Sequence, residues 1–326
     1  MGIGKVTFAA LLIGAAGCGG AAAGGGAGGA GGAGNATGGA PARIAQVFIV
    51  AMENENIGQI YGNSSEAPYI NGTLLPQFAH ATGFTDELPA ALPSEPHYVW
   101  LEAGTNAFAD HTFTTDDAPS ASNSTASTAH LATELTTAGL GWTAYEEGID
   151  AGGCPISGAG FYAPKHDPFV FFRDVVGDPP ARQTPGCAAH FKDLPALGGD
   201  LAAGDVTPYV FITPDLCHDM HGATGCPDSD LIHAGDSWLS GALPPLLAFA
   251  GAHDALVLVV WDEGDAAGRM PLLALGPAAK VGYAGAAAYT HSSVLKTVEE
   301  ILGVPVLPTV APANDLGDLL APGALP

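Results

Sequence analysis

The sequence predicts an α/β fold in which a mostly parallel central sheet is sandwiched between helices. From about residue 43, short apolar runs rich in β-branched residues alternate with stretches of helical periodicity, which is the layout of a parallel sheet with crossover helices. Of the 326 residues, 47% are hydrophobic, which is enough apolar material for one large core. We therefore expect one domain over residues 43–326.

Residues 1–42 are expected to lie outside this domain. Lys5 and the apolar run 6–13 precede small residues, which predicts an export signal over residues 1–17 that is too short to span a membrane. The residues before Cys18 resemble a bacterial lipobox, so residues 18–42 are interpreted as a lipidated cysteine and a flexible Gly/Ala tether. We expect a lipoprotein of the cell envelope, periplasmic or on the outer surface. If Cys18 is not lipidated, the protein is secreted.

Four predicted strands can be placed in order along the domain. They cover residues 44–50, 208–213, 255–261 and 270–275, and each is a short run of apolar, largely β-branched residues. Polar residues follow these strands, and ligands of open α/β sheets bind outside the carboxyl ends of strands. The residues expected at that edge are Glu53 and Asn54 after the first strand, Asp219 and His221 after the second, Asp262 and Glu263 after the third, and His291 in the loop beyond the fourth.

Two predicted helices complete this coarse scheme. In residues 292–302, Val294, Leu295, Val298, Ile301 and Leu302 fall on one helical face, and Gly303 terminates the helix. Such a helix would pack on the sheet and present His291 at its start. A second helix is expected over residues 129–138, after a polar loop over residues 110–128 near the site entrance.

The acidic residues at the strand ends predict a cation site. Glu53, Asp219, Asp262 and Glu263 would repel one another in a partly desolvated cleft, so either their pKa values rise or a cation lies among them. Carboxylate and imidazole ligands suit zinc, manganese, iron, magnesium or calcium. The alternative is that each acidic loop is only a solvated turn or a helix cap.

The overall charge excludes some partners. Asp and Glu number 33 against 9 Lys and Arg, for a net charge of -24. Nucleic acid is therefore not an expected partner, because phosphate backbones are held by Lys and Arg. Anionic lipid would likewise find no basic patch, so membrane contact is expected through the lipid anchor alone.

Past the tether, four cysteines favour two disulfides in an exported chain. Cys217 and Cys226 could bridge locally and leave Cys154 with Cys187, although three connectivities are possible. A zinc site of all four is the rival interpretation, but the spacings are not those of ribbons or fingers.

Eight short motifs follow one another along the domain. They are Val47 to Gly62, Pro93 to Tyr98, Leu135 to Tyr145, Lys165 to Phe169, Thr213 to His221, Gly235 to Leu239, Trp261 to Glu263 and Tyr289 to Ser293. In this order they resemble the motifs of the bacterial phosphoesterase family that contains acid phosphatases and phosphatidylcholine-type phospholipases C, within the alkaline-phosphatase-like superfamily. The resemblance implies an alkaline-phosphatase-like fold.

The resemblance also implies roles for individual residues. The family's metal ligands correspond to Glu53, Asn54, Asp262 and Glu263, so a divalent metal ion is the expected cofactor. Asp219 would be a further ligand or would orient a histidine. Phosphate contacts or proton donors to the leaving group are expected at His97, His221 and His291, although packing or capping is the alternative for each.

The nucleophile is expected near the start of the helix over residues 129–138. Related enzymes use a Ser or Thr there, where a helix N-terminus favours phosphate, but the family spacing counted back from Trp142 leads to His130. We rank Thr128 first, Ser127 second, and phosphohistidine chemistry at His130 third. Direct attack by metal-bound water and a mere capping role for Ser127 or Thr128 are the alternatives.

These observations predict an exported, metal-dependent phosphoesterase, most similar to an acid-phosphatase-type phosphomonoesterase and monomeric. One alternative is a phospholipase C-like phosphodiesterase. Another is a catalytically degenerate surface lipoprotein that binds a ligand or a metal. A sulfatase fits less well, because neither Cys154 nor Cys226 lies in the maturation motif of that class.

Overall fold

The computed structural model describes residues 43–150, 152–264 and 268–326. The predicted signal, the lipidated Cys18 and the tether lie outside the described residues. Among the described helices, none is both long enough and apolar enough to cross a bilayer.

An eight-stranded sheet forms the centre of the domain. Its strands are β1 Gln46–Met52, β2 Ala79–Ala81, β3 Trp142–Glu146, β4 Phe191–Asp193, β5 Tyr209–Thr213, β6 Ala255–Trp261, β7 Leu272–Leu275 and β8 Ala284–Gly285. Their order across the sheet is β4-β3-β5-β1-β6-β7-β2-β8. The pairs from β4 to β6 are parallel, β7 is antiparallel to both β6 and β2, and β8 is parallel to β2. The prediction of a mostly parallel sheet is confirmed.

Helices cover the sheet. They are α1 Ile57–Ile60, α2 Leu75–Gln77, α3 Ser94–Ala103, α4 Leu131–Thr137, α5 Arg173–Val176, α6 Leu197–Ala203, α7 Leu231–His253 and α8 His291–Leu302. A π-helical turn spans Ile70–Leu74, and 3₁₀ turns span Pro164–His166, Pro168–Phe171, Cys187–Ala189, Leu194–Ala196 and Gly317–Leu319. The two predicted helices correspond to α8 and α4, and His130 is the residue just before α4.

Helices pack on both faces of β1. Since successive side chains of a strand point to opposite faces, neighbouring residues of β1 meet different helices. Phe48 contacts Phe249 of α7 at a ring-centroid distance of 5.8 Å, whereas Ile49 lines a small apolar space with Leu101 of α3 and Val294 of α8. Every residue of β6 is buried. This uninterrupted burial explains why β6 is an unbroken apolar run and not an alternating one.

The cysteines form two disulfides, Cys154–Cys187 and Cys217–Cys226, with Cα–Cα distances of 5.5 and 5.3 Å. This is the connectivity that a local Cys217–Cys226 bridge requires. The rival interpretation, a zinc site made of all four cysteines, is wrong, because each sulfur is bonded to another.

Candidate active site

The predicted acidic residues meet where β1 and β6 end. Met52 pairs with Trp261 in the parallel register, so Glu53 and Asp262 leave the sheet side by side. The amide of Asp262 donates to the Met52 carbonyl at 3.0 Å, and the amide of Glu53 donates to the Asp219 carbonyl at 2.8 Å. Neighbouring parallel strands thus bring three loops that are distant in sequence to one point.

Glu53, Asp262 and Glu263 form a cluster of carboxylates that is suited to a cation. Each offers an oxygen, and these oxygens lie within 4.8 Å of one another. Burial raises the pKa of Glu53 and that of Asp262 well above the ordinary range. The charge of Asp219 raises the pKa of Glu53 further, and the charge of Glu53 raises the pKa of Asp262 further. Oε1 of Glu53 and Oδ2 of Asp262 are buried without a hydrogen-bond partner among the described residues. A divalent cation would satisfy both oxygens and offset the repulsion.

Asn54 lies beside this cluster in the left-handed backbone region, with φ of 58°. Its side-chain amide donates to Oε2 of Glu53 at 3.0 Å, and its backbone N–H is 3.4 Å from Oδ1 of Asp262. Asn tolerates this conformation better than most residues. The turn therefore holds Glu53 in place and brings Asn54 to the predicted metal site.

A second group of potential ligands combines Glu53 with His166 and His221. The two ring nitrogens of His166 lie 3.0 Å from Oε1 of Glu53 and 3.1 Å from Oδ2 of Asp219. Burial lowers the pKa of His166 well below its ordinary value, so the ring is neutral and carries one N–H. Whichever nitrogen lacks the proton directs its lone pair at a carboxylate, which is an arrangement that a cation between them would relieve. In the sequence, His166 stands only inside the Lys165 to Phe169 motif and has no predicted role.

Asp219 acts on both histidines of this group. Besides its contact with His166, its Oδ1 accepts a hydrogen bond from the backbone N–H of His221 at 2.7 Å. Asp219 itself is fully buried. Of the two roles predicted for Asp219, the geometry favours orienting a histidine.

Ser94, the first residue of α3, lies in the middle of the cluster. Its Oγ is 3.3 Å from Oε2 of Glu53, 3.2 Å from Oε1 of Glu263 and 3.4 Å from Nζ of Lys165. The side chain sits at the N-terminus of a ten-residue helix, where free N–H groups and the helix dipole favour an anion. In the sequence, Ser94 stands in the Pro93 to Tyr98 motif and has no predicted catalytic role. Its position between Pro93 and Pro96 could have indicated a serine at the start of a helix, since proline favours the first turn of a helix.

His97 and His291 are held together by one carboxylate, that of Asp86. Nδ1 of His97 lies 2.6 Å from Oδ2 of Asp86, and Nδ1 of His291 lies 3.4 Å from its Oδ1. Burial lowers the pKa of both histidines, but the hydrogen bond to Asp86 and the negative charges of Asp86 and its neighbours together outweigh burial, and the pKa of His291 rises to about 9. Nε2 of His291 donates to the Trp261 carbonyl at 3.0 Å, and Nε2 of His97 lies 3.8 Å from Glu263. His97 therefore borders the cluster, whereas His291 is joined to it only through Asp86 and the backbone of Trp261.

The three candidate nucleophiles from the sequence lie elsewhere. His130 is buried, with Nδ1 2.8 Å from Glu102 and Nε2 3.1 Å from Asp174, so both ring nitrogens are occupied. The Ser127 hydroxyl accepts from the backbone N–H of Ala129, as a turn-forming serine does, and Thr128 is exposed. Among the described contacts, none joins these three residues to the carboxylate cluster. The physical reason is that the backbone of Thr125 pairs with that of Phe172, which directs this segment to another part of the domain. A hydroxyl that does lie within hydrogen-bond distance of the cluster is that of Ser94.

Comparison with known proteins shows the family to which this chain belongs. The model of the Phosphoesterase family matches residues 72–305. A phosphatidylinositol-3-phosphatase of Mycobacterium tuberculosis is 30% identical over 267 residues, which cover 80% of this chain and 78% of the relative. A phosphate-repressible acid phosphatase of Penicillium chrysogenum is 28% identical over 180 residues, which cover 52% of this chain and 40% of the relative.

Solved structures share the fold. A protein of the alkaline phosphatase superfamily from Vibrio parahaemolyticus superposes with a TM-score of 0.54 at 14% identity, covering 86% of this chain and 71% of that one. A phosphonate monoester hydrolase from Silicibacter pomeroyi gives 0.52 at 15% identity, with coverages of 86% and 78%. At such identities the likeness concerns the fold alone, which is alkaline-phosphatase-like. The family match and the 30% identical relative go further, and with them the chain is a phosphoric ester hydrolase that belongs to the Phosphoesterase family.

Proposed function

We propose that this protein is an exported, metal-dependent phosphomonoesterase that uses Ser94 as its nucleophile. The observation that carries the proposal is the position of one hydroxyl. Oγ of Ser94 lies 3.3 and 3.2 Å from the carboxylates of Glu53 and Glu263 and 3.4 Å from the Lys165 ammonium. A hydroxyl at a helix N-terminus, between a proton acceptor and a cation, is well placed to attack phosphorus.

The two carboxylates can take the Ser94 proton. Oε2 of Glu53 and Oε1 of Glu263 both lie within hydrogen-bond distance of the Ser94 hydroxyl, so either carboxylate is placed to accept its proton. Attack forms a bond between Ser94 Oγ and phosphorus and breaks the bond from phosphorus to the alcohol oxygen, and the proton taken from Ser94 passes to that oxygen so that a neutral alcohol leaves. Water then attacks the phosphoserine, which releases phosphate and restores the hydroxyl.

Lys165 supplies positive charge on the open side of Ser94. Its ammonium donates to Asp116 at 2.8 Å and lies 3.1 Å from Nε2 of His221. Nδ1 of His221 faces the Gly222 carbonyl at 2.8 Å, so Nε2 is the nitrogen free to accept the Lys165 proton. The third Lys165 N–H faces Ser94 Oγ at 3.4 Å, and it could donate instead to an oxygen of a phosphate bound at Ser94, which would offset the acidity of the surrounding site.

The residues that would hold a divalent ion are Glu53, Asp262 and Glu263, with Asn54 beside them and with His166 and His221 as a second group. A metal ion bound there would polarise the phosphoryl oxygens and offset charge in the transition state. This assignment is supported by Oε1 of Glu53 and Oδ2 of Asp262, which are buried without a hydrogen-bond partner among the described residues.

Monoesters are favoured over the alternatives by the relatives, whose names describe acid phosphatases and a phosphatidylinositol-3-phosphatase. A phospholipase C-like diesterase would use the same nucleophile. Only a comparison of monoester and diester substrates can therefore distinguish the two activities. A purely binding protein would have no need of a hydroxyl between a base and a cation. Export and lipidation rest on the layout of residues 1–18.

The test compares p-nitrophenyl phosphate with its bis-ester in the presence of Mg²⁺, Mn²⁺, Zn²⁺ or Ca²⁺. We expect faster turnover of the monoester, and we expect Ser94→Ala to lower kcat by at least about 10³-fold while bound metal is retained. Ser127→Ala and Thr128→Ala are the matched controls and should turn over normally. Full activity in Ser94→Ala would remove the serine from the mechanism. A wild type that holds metal and hydrolyses neither ester would favour the binding protein.

A further inference from the structure

Asp116 accepts hydrogen bonds from two donors that lie beside Ser94. Its Oδ2 accepts from the Lys165 ammonium at 2.8 Å, and its Oδ1 accepts from the backbone N–H of Glu95 at 3.1 Å. Nζ of Lys165 is also 3.4 Å from Ser94 Oγ, and Glu95 follows Ser94 in the first turn of α3. One carboxylate therefore takes both an ammonium and a helix N-terminal N–H next to the candidate nucleophile.

These two donors are the kind of group that binds phosphate. Backbone N–H groups in the first turn of a helix and lysine ammonium groups are both common phosphate ligands. Beside Ser94, both donors already face an anion that belongs to the protein itself. A phosphate and the Asp116 carboxylate carry charge of the same sign, so they would repel each other and compete for the same donors.

The loop that carries Asp116 is anchored, whereas the side chain of Asp116 can turn. The side-chain amide of Asn123 donates to the Asp117 carbonyl at 2.8 Å and to Oε2 of Glu95 at 2.9 Å, which ties the loop to α3. The Asp116 side chain is 34% exposed. It can therefore rotate into solvent while the backbone of the loop stays in place.

We propose that Asp116 competes with phosphate at Ser94. Its carboxylate occupies the anion position when no phosphate is bound, and it turns away when phosphate binds. This inference rests on the proposed function, because it takes Ser94 as the residue at which phosphate binds. The affinity for phosphate is then lowered by the free energy needed to separate Asp116 from Lys165 and from α3. Release of product phosphate is favoured in the same way, since the returning carboxylate takes back both donors.

The test is isothermal titration calorimetry of the protein as purified, with inorganic phosphate as the probe. Asp116→Asn removes the charge and keeps an oxygen that can accept from the Glu95 N–H. We expect this variant to bind phosphate at least about fivefold more tightly than wild type, and Asp116→Ala to change the affinity in the same direction.

Asp117→Asn is the matched control. It removes an equal charge from the next position, which is also exposed, and Asp117 joins the hydrogen bonds of the loop through its backbone N–H and carbonyl. This variant should bind phosphate with an affinity close to that of wild type, which separates competition at Lys165 and α3 from a general effect of net charge.

Inhibition of p-nitrophenyl phosphate turnover by inorganic phosphate gives a second measurement, and it should strengthen by the same factor in Asp116→Asn. A damaged loop would weaken phosphate binding, so a gain in affinity does not arise from misfolding. The inference is overturned if Asp116→Asn binds phosphate no more tightly than Asp117→Asn, or if none of these proteins binds it. Tighter binding in a protein that hydrolyses no ester would contradict the proposed function alone.

Discussion

Replacing His130 by Gln should destabilise the protein in a pH-dependent way and leave catalysis intact. His130 is buried between Glu102, at 2.8 Å, and Asp174, at 3.1 Å, and it stacks on Phe172 at 3.9 Å. Burial alone would lower its pKa, but the hydrogen bonds to Asp174 and Glu102 raise it from 6.5 to about 9. The imidazolium therefore contributes to stability, because the folded state holds its proton more tightly than the unfolded state does.

The magnitude follows from the rise of the His130 pKa from 6.5 to about 9, because each tenfold change in proton affinity is worth about 1.4 kcal/mol, which gives roughly 3 kcal/mol. Because the folded pKa is the higher one, this stability is fully present below about pH 6.5 and is lost as the pH rises through about 9. The burial of Glu102 raises the pKa of that carboxyl too, so the pair shares one proton and about 3 kcal/mol is an upper value.

The assay is urea unfolding of wild type and His130→Gln at pH 6 and pH 9.5, with p-nitrophenyl phosphate turnover of both proteins. The difference in free energy of unfolding between them should be large at pH 6 and should shrink by about 3 kcal/mol at pH 9.5. Other groups titrate in this range in both proteins, so only the difference reports His130. A constant difference would refute the assigned role. Loss of turnover in a folded variant would restore His130 as a candidate nucleophile.

Three further predictions concern the candidate active site. Chelation of divalent ions should abolish turnover, and Asp262→Asn should lower the metal content measured by mass spectrometry; activity that survives exhaustive chelation would contradict the metal assignment. In metal-free protein, stability should fall as the pH rises and Glu53 ionises, because burial raises the pKa of this carboxyl; Glu53→Gln should reduce that fall in the free energy of unfolding, and an unchanged pH dependence would show that the charge is compensated. Lys165→Met should reduce kcat/KM by about 10²-fold, with partial recovery in Lys165→Arg, and an unchanged value would exclude Lys165 from phosphate binding.

Much of the sheet follows from local sequence. Residues 255–261 form an apolar run that is too short for a typical helix, and the run is β6 residue for residue. Residues 44–50 and 208–213 became β1 and β5 with shifts of one or two positions, as expected where strand ends fray into loops. Strands of two or three residues, such as β2 and β8, carry too little periodicity to be seen. Their pairing depends on partners far away in the chain.

The antiparallel orientation of β7 is another feature that no local pattern indicates. Its residues are all buried, like those of the parallel strands, so burial alone does not reveal direction. Direction is decided by the path of the connecting chain.

The sequence by itself determined that Glu53, Asp262 and Glu263 follow strands, and the parallel register then required them to meet. The sequence could not determine which hydroxyl and which ammonium would lie beside these carboxylates. Ser94 and Lys165 belong to segments whose path depends on tertiary packing. His130 is a second case in which tertiary packing decides where a side chain lies. An imidazole at the spacing expected for a nucleophile is buried instead between Glu102 and Asp174, because its place is decided by the packing around it and not by its neighbours in the chain.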